Sequence, residues 1–137
     1  MKLNGDVIII EDDADDRWVL ESIFEELGYP NPVIFFDNTG DALEYVRKPD
    51  SDPFIIISDI NMSKPDGFEL RNTIFNDPTI ADACVPYIFL TTSNNANMVS
   101  EAFSSSIQGY FVKKTDFNEQ KEVIRKIMEY WKESMVP

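Results

Sequence analysis

The chain of 137 residues has no histidine, a single cysteine, Cys84, and 12 lysines and arginines against 25 aspartates and glutamates. Each shortage removes a class of chemistry. Without histidine there is no Ser-His-Asp or Cys-His nucleophile, and the commonest zinc ligand is missing. One cysteine forms neither an internal disulfide nor a multi-cysteine metal site, as expected in a reducing compartment. A net charge of −13 repels the phosphate backbone, so no nucleic-acid partner is expected. No apolar run approaches the ~20 residues of a membrane span, and the start, Met1 to Asp6, is too short and polar for a secretion signal. No membrane partner is expected, and the cytoplasm is the expected location. Chemistry here must rest on carboxylates, hydroxyls and lysines.

What is present points to one domain spanning residues 1–137, since 43% apolar residues at this length suffice for one core. Five strand-length runs rich in β-branched and aromatic residues recur: Val7 to Ile10, Val33 to Phe36, Phe54 to Ile57, Tyr87 to Leu90 and Tyr110 to Val112. Between them lie helical stripes. Trp18, Leu20, Ile23, Phe24 and Leu27 form one, Ala42, Leu43 and Val46 another, and Val123, Ile124, Ile127, Met128 and Trp131 the last. Gly28 with Pro30 and Pro32, Pro49 with Pro53, and Pro78 with Pro86 mark the boundaries where helices stop and strands begin. The alternation predicts an α/β fold, a doubly wound parallel sheet with helices on both faces.

In such a sheet ligands bind beyond the carboxyl ends of the strands. The residues there are Glu11-Asp12-Asp13, Asp37, Asp59, Thr91-Thr92 and Lys113-Lys114. If the first and third strands are neighbours, Glu11, Asp12 and Asp59 converge, and three like charges need a cation. Mg²⁺ suits such oxygen donors. It would also hold an incoming phosphoryl group while a carboxylate oxygen attacks to form an aspartyl-phosphate, with Thr91 and Lys113 contacting the phosphoryl oxygens. Plainer roles suit other residues. Asp13, Asp15 and Asp16 read as a helix cap and first-turn acids, Asp66-Gly67 as a turn into a helix, and Cys84 as incidental. Tyr110 reads equally as a core aromatic or a functional one.

Four segments in order, "VIIIEDD", "FIIISDINMSKPDGFEL", "PYIFLTTS" and "GYFVKK", resemble the receiver domain of bacterial response regulators, from Val7 to about Trp131. The resemblance implies a (βα)5 flavodoxin-like fold with strand order 2-1-3-4-5. It implies Asp59 as the phosphoacceptor, Asp12 as a direct Mg²⁺ ligand, Glu11 as its acidic partner, and Asn61 as a ligand through its backbone carbonyl. It further implies Thr91 and Lys113 as the phosphate-contacting pair, and Thr91 with Tyr110 as the switch. The partner is then a sensor histidine kinase or a histidine phosphotransfer protein. Output passes to a downstream protein, or to a homodimer, through the face of the fourth helix, fifth strand and fifth helix.

"TTS" and the "YW" of Tyr130-Trp131 resemble small stand-alone receivers that partner phytochrome-like and other sensor kinases. Ser63 stands where the family commonly has proline, with Pro65 two places on, and Lys114 stands where proline is usual, so a cis peptide is not expected there. Ser93 lies where side-chain choice is expected to tune hydrolysis. Two other readings are a Mg²⁺-dependent phosphatase or phosphotransferase and a module that binds without phosphorylation. The phosphatase reading would usually need a second carboxylate two residues beyond Asp59, where Asn61 stands.

Overall fold

Five strands, β1 (Asp6–Ile10), β2 (Val33–Phe36), β3 (Pro53–Ser58), β4 (Tyr87–Thr91) and β5 (Gly109–Val112), pair in parallel in the order β2-β1-β3-β4-β5. The expected strand order is therefore observed. The computed structural model describes residues 3–62, 66–81 and 85–134; Ser63, Pro65 and Cys84 lie outside them.

The two-residue period of a strand sorts the sheet's side chains into two cores. Val7, Ile9, Ile57, Ile88 and Leu90 pack with Leu20, Ile23 and Phe24 of α1 (Ala14–Leu27) and with Ile124, Ile127 and Met128 of α6 (Phe117–Glu133). Ile8, Ile10, Ile56 and Phe89 point the other way. They meet α2 (Thr39–Arg47), α3 (Gly67–Phe75) and α5 (Ala96–Ser104) through Ala42, Val46, Leu70, Ile74 and Ala102. Both faces are covered, so β3 and β4 are buried along their whole length, which is why those segments read as unbroken apolar runs.

Each of the five longer helices opens on an acid or an amide. Asp13, Asn38, Asp66, Asn95 and Asp116 cap α1, α2, α3, α5 and α6, each accepting from an amide in the first turn. α1 stops at Gly28, whose left-handed φ of 69° suits glycine and whose N–H donates to the Phe24 carbonyl.

Two expectations are corrected. Pro78, two residues past the Asn76 C-cap of α3, does follow a helix end, but no strand begins there; it opens an extra short helix, α4 (Pro78–Ala81), since proline's missing N–H and fixed φ suit a first helical position. The helices counted fourth and fifth from the alternation are thus α5 and α6. Trp18 is 65% exposed. Two residues before Leu20, it lies about 200° around the helix from that buried position and so faces away from the sheet. Among the described residues no helix is long and apolar enough to cross a membrane.

Gly67 brings α3 against the end of β3. A Cβ there would lie 2.4 Å from the Asp59 carbonyl oxygen and 3.1 Å from the Phe89 ring. Gly67→Ala is expected to cost about 2 kcal/mol of stability, a typical overpacking penalty, read as a lower urea midpoint.

Candidate functional site

The sheet's hydrogen-bond ladder runs on past the strands into the site. Glu11 N donates to the Phe36 carbonyl at 2.9 Å, Asp59 N to Ile10 at 3.1 Å, and Lys113 N to Thr91 at 2.8 Å. Ile10 is in register with Ser58, so Glu11 and Asp59 follow side by side. This edge is where the chain leaves β1 for β2 on one side and later returns to β3 on the other, the switch point at which open sheets bind ligands.

The ammonium of Lys113 sits among three carboxylates: Glu11 Oε2 at 2.6 Å, Asp16 Oδ2 at 2.7 Å and Asp59 Oδ2 at 2.9 Å. Lysine has three N–H donors, so its capacity is filled. Glu11 is 2% exposed and Asp59 7%. Burial lifts the Glu11 carboxyl above its ordinary value, and the hydrogen bond and charge of Lys113 only partly offset this. At Lys113 burial pulls down, but hydrogen bonds to Asp16, Glu11 and Asp59 prevail and hold its pKa above the usual lysine value. The ammonium therefore stays charged wherever the carboxylates do.

The second oxygen of Asp59 is held as well: Oδ1 accepts the Asn61 amide at 3.1 Å. The Asn61 side chain donates to Thr91 Oγ1 at 3.2 Å, linking the loop after β3 to the fully buried Thr91. Tyr110 donates its hydroxyl to the Ser93 carbonyl at 2.8 Å and stands edge-on to Phe89. Glu11, Asp59, Asn61, Thr91 and Lys113 thus meet at one edge, with Tyr110 tied to the loop that follows Thr91.

Other candidates stand apart. Asp12 is exposed and makes no hydrogen bond or ion pair among the described residues, and Asp37 is exposed at the end of β2, bonded to Asn38. Thr92 and Lys114 are also exposed, the Lys114 amide being held by Gln120. The residue overlooked in the sequence is Asp16. Its first-turn position is where an acid favours the helix dipole, and that sufficient local role hid the contact with Lys113. No spacing in the sequence marks the contact, because its partner lies 97 residues on.

Carboxylate oxygens on two strand ends, with the Asn61 backbone beside them, fit a hard divalent cation that keeps several of its waters. Among the described residues no three ligating side chains are grouped around a metal position; the ammonium of Lys113 lies between Glu11 and Asp59 instead.

Residues 7–125 match the family described as the response regulator receiver domain. The chain is similar to the probable methanogenesis regulatory protein FilR2 of Methanothrix harundinacea, 26% identical over 91% of this chain and 82% of that protein. It is 26% identical to the DNA-binding transcriptional regulator NtrC of Proteus hauseri over 97% of its own length but spans 26% of that protein. Among solved structures it resembles response regulator RPA3017 in red light signaling of R. palustris, with a TM-score of 0.84, 26% identity and coverage of 97% and 98%. The phosphorylated cyanobacterial phytochrome response regulator RcpA has a TM-score of 0.86, 22% identity and 97% coverage of both chains. The Mn²⁺-bound form of response regulator Rcp1 has 0.82, 20%, and 96% and 97%. At those identities the last two share the fold.

Replacing Lys113 by methionine leaves Glu11 buried without its counter-ion, at an expected cost of about 3 kcal/mol near neutral pH. Protonating Glu11 removes the unpaired charge, so the deficit shrinks as pH falls and returns as it rises. Urea unfolding of both proteins at about pH 7 and about pH 5 measures this.

Proposed function

The chain belongs to the response regulator receiver domain family, and we propose from this that Asp59 accepts one phosphoryl group from the phosphohistidine of a sensor histidine kinase or histidine phosphotransfer protein. The observation that carries the reading is the Asp59 carboxylate held at the sheet edge between the Asn61 amide and the Lys113 ammonium. An Asp59 oxygen forms the new P–O bond as the P–N bond to the partner's imidazole breaks and the imidazole keeps the electron pair. The histidine must come from the partner, since this chain has none.

Lys113 is within reach of the phosphoryl oxygens once its bond to Asp59 is given up, and it offsets their charge. Glu11, Asp12, Asp59 and the Asn61 backbone carbonyl are the residues that would hold Mg²⁺, which when bound supplies further positive charge to those oxygens. The phosphorylated state of RcpA and the Mn²⁺ of Rcp1 support the acceptor and cation readings. A groove of about 300 Å³ beside Lys113, lined by Leu20, Thr92, Phe117 and Gln120 among others, gives a partner room to approach.

The signal leaves through Thr91. Its hydroxyl turns from Asn61 toward the phosphoryl group, the β4–α5 loop follows, and Tyr110, bonded to Ser93 in that loop, repacks. The α5–β5–α6 face then shifts between two populations, changing its contacts with a downstream protein or a second copy. Labelling is expected to be stoichiometric. The amide of Asn61 stands where a small-molecule phosphatase would carry its acid–base carboxylate, which argues against turnover.

Incubation with acetyl phosphate is expected to add one phosphoryl group by intact-protein mass spectrometry, dependent on Mg²⁺ and absent in Asp59→Asn. Failure of the wild type both to label and to bind beryllofluoride with Mg²⁺ would overturn the reading. Beryllofluoride is further expected to move the NMR signals of Tyr110 and α5 in the wild type, and to leave them largely in place in Thr91→Ala.

A further inference from the structure

Asp16 does more than its place in the first turn of α1 requires. Asp13 caps the helix by accepting the Asp16 amide at 2.9 Å, and Asp15 supplies another first-turn acid for the dipole. A dipole role would leave the Asp16 carboxylate in solvent. Instead Oδ2 lies 2.7 Å from the ammonium of Lys113, 97 residues along the chain and on the loop beyond β5. The side chain is 42% exposed, whereas the other two carboxylates on that ammonium, Glu11 and Asp59, are buried.

The three contacts differ in what happens when the site is loaded. Asp59 Oδ2 must release Lys113 for phosphoryl transfer. Glu11 is a proposed holder of the cation. Asp16 alone among the three belongs to neither set. We propose that Asp16 is a positioning residue for Lys113, keeping the ammonium at the sheet edge while Glu11 and Asp59 turn to the cation and the phosphoryl group, a role that presupposes Asp59 as the phosphoacceptor. The ammonium rides on a flexible four-carbon stem, so a fixed anion on α1 limits where it sits at the moment its other bonds are exchanged.

The test uses the full chain with beryllofluoride and Mg²⁺, measured by calorimetry, and the rate of labelling by acetyl phosphate. Asp16→Ala is expected to weaken beryllofluoride binding about fivefold, the size of a partly exposed ion pair. Asp16→Glu, which keeps the charge, is expected to restore most of it. Asp16→Asn keeps the side chain's shape, and binding as weak as in Asp16→Ala would place the effect on charge rather than on the fold of α1. In the labelling assay Asp16→Ala is expected to slow the wild type and to have no further effect in a Lys113→Ala background, because the residue acts through that lysine.

Unchanged or tighter beryllofluoride binding in Asp16→Ala would overturn the role, and so would an equal slowing in the Lys113→Ala background. A wild type that neither labels nor binds beryllofluoride overturns the phosphoacceptor reading and this role with it. A wild type that does both while the Asp16 variants match it overturns this role alone.

Discussion

Two buried carboxylates share one ammonium at the edge of a parallel sheet, and the rest of the site is arranged around that fact. Glu11 and Asp59 end neighbouring strands, so their charges are brought together by the ladder itself and cannot separate without breaking it. Removing water from like charges is costly unless a cation lies between them. Lys113, whose backbone N–H donates to the Thr91 carbonyl, provides that cation. On the proposed reading, Asp59 and Lys113 would engage the phosphoryl group and Glu11 the cation. Loading the site would then be an exchange of partners rather than the creation of new charge pairs in an empty cleft.

That exchange needs a rigid frame, and the two-sided burial of the sheet supplies one. Alternate residues of β1 pack on α1 and α6 or on α2, α3 and α5, so a slip of register would turn every isoleucine to the wrong layer. Gly67 lets α3 pack close against the backbone carbonyl of Asp59. Thr91 is buried, yet its hydroxyl is bonded to the exposed Asn61, and the loop after it holds Tyr110 through a single carbonyl.

Residues whose placement follows from the end of a strand are legible in the sequence. Glu11, Asp59, Thr91 and Lys113 each follow an apolar run, and a parallel sheet must carry all such positions to one edge. Residues that satisfy a local rule while making a distant contact are not. Asp16 is a good first-turn acid wherever its oxygen points. Arg71 is another example: surrounded by apolar positions on α3, it is 7% exposed, stacked near Phe75 and Tyr87, and donates to the carbonyl of Ser106, a residue at positive φ. No periodicity marks a buried arginine, because its partner is a backbone carbonyl 35 residues on. Trp18 failed in the opposite sense, an aromatic near the apolar stripe of α1 whose angle puts it in solvent.

By itself the order of the residues determined the alternation of strands and helices, the parallel sheet, and the set of polar groups at its carboxyl edge. These follow from hydrophobic period and chain connectivity, which are local or nearly so. Tertiary structure alone decided that Lys113 binds Asp16 as well as Glu11 and Asp59, that Asp12 stays in solvent, and that Tyr110 is tied to Ser93. Each of those outcomes depends on the direction of one side chain across a gap of a few ångströms. Such directions are set by packing among residues far apart in the chain, where neither period nor spacing carries information.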